Sequence, residues 1–193
     1  MTLLEIVEQA LINLGEDPDA ETVEEYKQGF GIAEHVNSGY MQVCERDYRP
    51  CRVEQVTLDE DGCFLPSALI YTVLFIEGVY SEGKAGQGAP RAHYALPDSR
   101  VCVLNAKGET VDVVYRYLPD MLMNDTDAPL FPERFHDCLA DYAAYRVMGT
   151  GSVIRQQRAQ FFLQEFERKR QMIQPWGTEL GGMFASAIKN KFT

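Results

Sequence analysis

The spacing of apolar residues changes twice along this 193-residue chain, and the two changes restrict the fold that it can adopt. Before Pro50, apolar residues recur every three or four positions, which is the period of an amphipathic helix. Beyond Pro50 they alternate with polar residues, as in a half-buried strand, and the helical period returns at Pro132. The sequence therefore predicts the α+β class: a mainly α-helical bundle with an inserted small antiparallel β-sheet and a C-terminal extension.

The same changes of period divide the chain into three predicted parts. Residues 1–50 and 119–174 form the helical bundle, residues 52–118 form the inserted β-sheet subdomain, and residues 175–193 form a C-terminal docking tail. Pro175 marks the last boundary, because proline lacks the backbone N–H that a helix interior needs, and Gly177 follows it. The last helix of the bundle is therefore expected to end before Pro175.

Two helices are predicted before Pro50. The first begins at a capping box, in which Thr2 and Glu5 satisfy each other's free backbone N–H groups, and it ends at Gly15. The second is predicted to run from about residue 22 to about residue 47, with one continuous apolar face. Glycines inside it each cost about 1 kcal/mol relative to alanine, so they weaken the helix or mark close packing or a kink.

Alternating segments predict the strands of the inserted sheet, at residues 52–58, 63–65, 73–80, 101–104 and 110–117. The turn Asn105-Ala-Lys-Gly108 predicts a hairpin between the last two of them. Residues 81–88 are glycine-rich and are predicted to be a mobile loop. They lack the residue order of a phosphate-binding loop and no helix follows them, so phosphate binding is not expected.

The docking tail contains large apolar residues in a short terminal segment. One interpretation is that the tail packs on its own domain. The other is that it anchors a partner, because exposed aromatic residues are costly unless a surface covers them. The candidate interface residues of the tail are Trp176, Met183, Phe184, Ile188 and Phe192.

Acidic and basic residues are unevenly distributed in a chain whose net charge is −11. Residues 1–25 contain eight acids and no Lys or Arg, whereas residues 152–174 contain five bases and two acids. Such an acidic chain disfavours a broad contact with nucleic acid. The opposite charges suit head-to-tail contact between identical copies, with Arg155, Arg158 and Arg168 as candidate contacts; the alternative is two solvated helix faces.

The sequence predicts no catalytic, cofactor-binding or metal site. Asp125 and Asp127 offer two carboxylates, which alone make a poor cation site and are explained by a capped turn. His136 and Cys138 do not converge on one point of a helix surface. No apolar run is long enough to cross a membrane.

The five cysteines are odd in number and widely spaced, without a C-x-x-C pair. They are predicted to be reduced and to pack as small apolar side chains. A disulfide between Cys44 and Cys51 is the alternative, which a cytosolic setting disfavours.

The third quarter of the chain carries a specific order of parts. Leu118-Pro119 is followed by Asp125-Thr-Asp127, then by Pro129 and Pro132, and then by the helical segment Tyr142-Ala-Ala-Tyr-Arg. Asp125 and Asp127 provide turn and cap chemistry, and Pro132 is tolerated at a helix start because its missing N–H needs no partner there. This order, which continues to residue 168, resembles the head–tail adaptor (connector or neck) proteins of tailed bacteriophages.

The resemblance implies a structural virion protein rather than an enzyme, with no cofactor. Proteins of that family form a ring below the portal, which extends the DNA channel and connects the capsid to the tail. Members commonly assemble as dodecamers whose C-terminal segment docks on the portal. The implied partners are further copies, the portal protein and a downstream neck or tail protein. DNA passes through the lumen without specific binding, and the ring joins the virion in the host cytoplasm.

Two alternatives remain at this stage. The first is a different phage neck or tail-completion protein, such as a stopper, which a mostly β chain would favour and the strong helical periods disfavour. The second is a small cytosolic enzyme or regulator whose site carries no recognisable motif. A pocket with strongly shifted pKa values would support that interpretation.

Overall fold

The computed structural model describes residues 1–149 and 152–189, and it describes side chains as far as Pro175. Its elements confirm the α+β class that the sequence predicts. The helices are α1 (Leu3–Leu14), α2 (Ala20–Phe30), α3 (Ile32–Val43), α4 (Asp137–Met148) and α5 (Val153–Lys189). The strands are β1 (Cys51–Thr57), β2 (Cys63–Phe64), β3 (Thr72–Ser81), β4 (His93–Ala95), β5 (Val101–Val103) and β6 (Thr110–Leu118).

The chain divides into two compact units. The helical unit combines Met1–Tyr48 with Asp120–Trp176, and the sheet unit contains Arg49–Pro119. In the helical unit, α1 and α3 both pack against α4. The apolar faces of these helices meet in a core from which water is excluded, and this burial provides most of their stability. Fully buried residues of this core include Ile6, Leu11, Val36, Tyr40 and Leu139.

Helix α1 begins at the predicted capping box and ends at the predicted glycine. The Glu5 backbone N–H donates to the Thr2 hydroxyl at 3.4 Å, and the Thr2 N–H donates to the Glu5 carboxylate at 2.9 Å. Gly15 then takes the left-handed conformation, at φ 88°, that ends many helices. The capping-box pattern in the sequence is therefore confirmed in both of its hydrogen bonds.

The unbroken second helix predicted before Pro50 is wrong. Gly31 has a φ of 59°, so it ends α2 and starts α3. Glycine adopts this left-handed conformation without the steric cost that a Cβ atom imposes. Gly39 has a different role, because a Cβ atom there would lie 3.0 Å from the Tyr142 ring on α4. After α3 the chain makes one π-helical turn over Cys44–Tyr48.

The predicted helix end before Pro175 is also wrong. Helix α5 continues through Pro175 to Lys189. A proline inside a helix removes one backbone hydrogen bond and crowds a carbonyl one turn earlier, at a cost of about 3 kcal/mol. Its φ nevertheless suits a helix, so the chain can continue where the remaining hydrogen bonds outweigh that cost.

The sheet unit contains two three-stranded antiparallel sheets rather than one. The strand orders are β1-β6-β3 and β2-β5-β4. The core of the sheet unit is one apolar cluster. Every second residue of β6 belongs to it, because successive side chains of a strand point to opposite faces. The central members are Val79, Val103, Val111, Val113 and Tyr115.

The hairpin predicted at Asn105-Ala-Lys-Gly108 does not form between β5 and β6, which lie in different sheets. Asn105 and Gly108 do have the positive φ values that a turn needs. However, the Gly108 N–H donates to the Asp59 carbonyl at 3.1 Å, so the turn joins the segment after β1 instead of closing a hairpin. Strand β4 was not predicted.

Two cysteines correct the prediction that all five are reduced. Cys63 on β2 lies opposite Cys102 on β5, and the two form a disulfide across the strand pair. Cys44, Cys51 and Cys138 are free, so the alternative pair of Cys44 and Cys51 does not form. Burial raises the pKa of Cys44 to about 12, and it makes this thiol a poor nucleophile at neutral pH.

The loop at 81–88 is anchored rather than free. The backbone N–H groups of Lys84 and Ala85 donate to one oxygen of the buried Asp112 carboxylate, at 3.0 and 3.1 Å. The other carboxylate oxygen accepts from the Gln55 amide at 3.3 Å. These two N–H groups are the donors that a phosphate would need, and a carboxylate of the same chain already occupies them.

Candidate functional site

The Asp125–Asp127 turn fixes the start of α1. The Leu3 N–H donates to the Asp127 carbonyl at 2.8 Å, and the Leu4 N–H donates to the Asp125 carbonyl at 3.2 Å. These bonds satisfy donors that the first turn of a helix leaves without partners inside the helix. The Asp125 carboxylate pairs with Lys27 at 2.5 Å. The turn thus ties α1 to α2.

The Asp127 side chain closes the turn itself. Its carboxylate accepts from the backbone N–H groups of Met123 and Asn124, both at 2.8 Å. These backbone hydrogen bonds lower the pKa of Asp127 below its ordinary value. Pro129 is buried beyond the turn, and Pro132 precedes the short 3₁₀ turn that leads into α4.

A groove of about 680 Å³ lies between α3 and the segment that leads into this turn. We call it the methionine groove, because Met41, Met121 and Met123 line it. The side chains of Met121 and Met123 are 55% and 79% exposed. The lining is mainly apolar, and its charged members are Glu34 and Glu45. Flexible, polarisable methionine side chains suit a surface that adapts to a partner.

Asn37 holds the outer wall of the methionine groove in place. Its side-chain amide donates to the Leu122 carbonyl at 2.9 Å, and its amide oxygen accepts from the Leu122 N–H at 2.8 Å. Leu122 is therefore fixed inward, between the two exposed methionines. Sequence analysis missed this residue, although an amide on the apolar side of a predicted helix was the available signal.

Replacing Asn37 with alanine is expected to destabilise the protein by about 2–4 kcal/mol, because two buried backbone groups lose their partner. Hydrogen exchange at the Leu122 amide should accelerate at the same time. Urea unfolding and exchange measurements check both results. Ser38→Ala is the matched control, since the Ser38 hydroxyl makes one longer contact of 3.4 Å with Tyr142. Equal effects of the two variants would contradict this role of Asn37.

The first turns of α5 expose an apolar surface with basic residues. Ile154 and Phe161, seven positions apart and so on one helix face, are 79% and 56% exposed. Val153 is exposed beside them. Arg155 and Arg158 lie on the same turns, and the Arg158 guanidinium donates to the Asn13 carbonyl at 3.1 Å. We call this surface, Val153 to Phe161, the α5 ridge.

The predicted basic contacts are therefore not one cluster. Arg168 lies two to three turns beyond Arg158 along α5, about 15 Å at 1.5 Å per residue. It pairs with Glu165 of its own helix at 2.7 Å. Of the three predicted arginines, Arg155 and Arg158 belong to the α5 ridge and Arg168 does not.

The predicted tail residues lie outside the described side chains. Trp176, Met183, Phe184 and Ile188 fall on the last part of α5, of which only the helical backbone is described, and Phe192 lies beyond the described residues. Their role as partner anchors stays a prediction.

A cluster of charged groups joins α4 to α5. The Lys169 ammonium lies 2.6 Å from both Asp137 and Asp141, and the Asn13 amide donates to Asp141 at 3.1 Å. Burial raises the pKa of Asp141, against the hydrogen bond and charge of Lys169, which lower it. Each member is explained by helix packing, so the shifted pKa does not by itself indicate an active site.

Across residues 1–149 and 152–189, the side chains that are described bring no three potential ligands together as a metal site. Within the same part of the chain, no helix is long and apolar enough to span a membrane. The methionine groove and the α5 ridge are the candidate sites that we consider among the described residues, and both are suited to contacts with protein.

Comparison with known proteins identifies the family. The family model described as SU10 adaptor protein matches residues 1–181, which include strands β1 to β6 and helices α1 to α4. No curated protein matches the sequence. The resemblance to phage head–tail adaptors, whose specific part is residues 117–168, is confirmed by this match over residues 1–181. The chain belongs to the SU10 adaptor protein family, a family of phage head–tail adaptors.

Proposed function

We propose that this protein forms a ring below the portal, extends the DNA channel and connects the capsid to the tail. The observation that supports the proposal most is the family match over residues 1–181. Family membership makes the chain a structural phage adaptor and a virion component. The ring, its place below the portal and its channel are the parts that we propose.

The charge of the chain supports a channel through which DNA passes without binding. The chain has a net charge of −11, and an acidic channel wall would repel phosphates at short range, so that DNA would move through the channel without binding to it. In this proposal DNA passes through the channel and is not a ligand of the adaptor.

The proposed partners follow from the place in the particle. Further copies of the chain form the ring, as a dodecamer; the portal protein receives the C-terminal tail; and a downstream neck or tail protein binds the opposite side. A ring subunit needs two different, complementary faces, because identical faces would close a dimer. Assembly takes place in the host cytoplasm, and no membrane takes part.

A phage that lacks this chain tests the proposal. We expect DNA-filled heads and free tails that do not join, because the connecting ring is missing. Electron microscopy and mass spectrometry of the purified heads identify what is absent. Heads that still join tails and infect would contradict the adaptor role. Joined but unsealed or leaking particles would favour the alternative of a tail-completion protein.

Reversing the charges of Arg155, Arg158 and Arg168 to glutamate is expected to weaken the oligomer, most at low salt, where opposite charges attract over longer distances. Native mass measurement at several salt concentrations checks this result. The matched control is R46E with K107E and R134E, which changes the net charge equally at other exposed positions. If the oligomer is unchanged when the three arginines are reversed, these arginines do not contribute to assembly.

A further inference from the structure

The methionine groove and the α5 ridge are complementary in shape and opposite in charge. The groove is concave and apolar, and among its described lining residues the charged ones are Glu34 and Glu45, both acidic. The ridge is convex, exposes Ile154 and Phe161, and carries Arg155 and Arg158 with no acid between residues 152 and 164. Apolar contact supplies affinity in such a pair, and opposite charges at its edge select the register.

We propose that the methionine groove of one copy receives the α5 ridge of the next copy. This inference rests on the proposed ring function and names the contact that builds the ring. Ile154 and Phe161 enter between Met41, Met121 and Met123. Arg155 and Arg158 then face the acidic edge that Glu34 and Glu45 form. The contact differs from the sequence-based expectation, in which the acidic residues 1–25 receive the basic helix.

The second copy is the occupant that the charges favour. Nucleic acid is excluded because the groove's charged residues are acidic, and phosphates would be repelled. A basic, apolar helix fits the groove, and the α5 ridge of this chain is such a helix. The two surfaces belong to one compact unit, so their relative position is fixed within each copy.

The contact is heterologous, because the groove and the ridge are different surfaces. A heterologous contact leaves one groove and one ridge open after each addition, so it produces a ring when the rotation closes. The groove is held in shape before binding, since Asn37 fixes Leu122 through two hydrogen bonds. Less conformational entropy is then lost on association.

Cysteine crosslinking in assembled particles tests the contact directly. The variant M123C/I154C places one thiol in the groove and one on the ridge, and a short bismaleimide should join neighbouring copies into a ladder of covalent oligomers. The single variants M123C and I154C are the controls, because each lacks one partner thiol and shows the background from Cys51. We expect the ladder in the double variant alone.

Three outcomes would overturn the contact. Particles that contain the adaptor but give no ladder exclude this pairing, while the proposed ring function stands. A crosslink to a protein of another sequence assigns the groove to a different partner, again with the ring function intact. If the unmodified chain is absent from particles, the proposed function fails and the contact fails with it.

Charge exchange in the purified protein provides a second measurement. The groove variant E34K/E45K and the ridge variant R155E/R158E should each raise the dissociation constant of the oligomer about tenfold or more. The variant that combines all four substitutions should regain most of the affinity, because the opposite charges are restored. E24K/E25K is the matched control on α2 and should associate like the unmodified chain.

Sedimentation and native mass measurements report these affinities. A combined variant as weak as the single-surface variants would overturn the contact. So would a control variant that loses association, because the acidic residues 1–25 would then be the receiving surface. An unmodified chain that stays monomeric at millimolar concentration would also contradict self-docking, without bearing on attachment to the portal.

Discussion

A chain truncated after Gln174, which lacks the docking tail at residues 175–193, is expected to fold like the full-length protein and to lower the titre of infectious phage by several orders of magnitude. The helical unit ends at Trp176, and the last described buried residue of α5 is Ile173. The packing of α5 on the rest of its unit is therefore retained. The part that is removed contains Met183 and Phe184, which we propose as anchors on the portal.

The size of the expected loss follows from how binding energy is distributed. A few large apolar residues carry most of the energy of an interface, and each contributes about 2 kcal/mol or more, or roughly 30-fold in affinity. Loss of several anchors together would leave the ring unattached at the concentrations of an infected cell. Plaque counts measure the loss, and circular dichroism with urea unfolding shows whether the truncated chain is folded.

A full-length variant separates the anchors from the helix that carries them. Replacing Met183, Phe184, Ile188 and Phe192 with serine should reproduce the defect at unchanged length. Replacing the polar Ser186 and Asn190 with alanine is the matched control and should leave the titre unchanged. Infectious particles made with the truncated chain, or unfolding of that chain, would contradict the docking tail.

The parts of the fold that could be predicted depend on short stretches of sequence. The capping box from Thr2 to Glu5 and the alternation along β6 each involve residues within one element, so the local pattern determines the result. The turn at Asp125 and Asp127 belongs to the same class, because aspartate side chains bond backbone groups nearby in sequence.

The remaining features depend on neighbours that are distant in sequence. Gly31 and Gly39 are the same residue type within one predicted helix, yet one breaks the helix and the other makes room for Tyr142. The partner of Cys63 is 39 residues away, on a strand that the sequence predicts to pair with residues 110–117 instead. Local spacing contains no information on either outcome.

The methionine groove could not be predicted for the same reason. Met41 comes from α3, whereas Met121 and Met123 follow the sheet unit, so the groove exists only after the segments meet. The basic part of the α5 ridge could be predicted, because Arg155 and Arg158 are basic residues in an acidic chain. Its apolar part was missed, because the sequence does not show that Ile154 and Phe161 are exposed and not buried.

Replacing Lys169 with methionine is expected to destabilise the helical unit by about 3 kcal/mol. The ammonium lies 2.6 Å from Asp137 and from Asp141, and the Asp141 side chain is only 8% exposed. Its removal leaves a buried carboxylate without its cation, and breaking a buried ion pair in this way costs about 3–5 kcal/mol. The lower end applies because the Asp137 side chain is 44% exposed and stays solvated.

The pH dependence identifies the cause of this loss. Burial alone would lower the pKa of Lys169, but the hydrogen bonds to Asp137 and Asp141 raise it above 10.5. The ion pair therefore stabilises the fold fully below about pH 10.5, and its contribution is lost as the pH rises through the folded-state pKa. The unmodified protein should lose this part of its stability only in strongly alkaline solution.

In the methionine variant, the pH dependence moves to the acid side, because Asp141 is buried without a cation. Burial already raises the pKa of Asp141 above 3.8, and losing Lys169 removes the neighbour that lowers it. The folded state then binds a proton more readily than the unfolded chain, so the variant's loss of unfolding free energy relative to the unmodified protein should shrink between pH 7 and pH 4.

Urea unfolding across that pH range measures this deficit in stability. Lys107→Met, at an exposed position, is the matched control, and D141N should rescue the variant. A deficit that does not change with pH would assign the effect to lost packing instead of the ion pair.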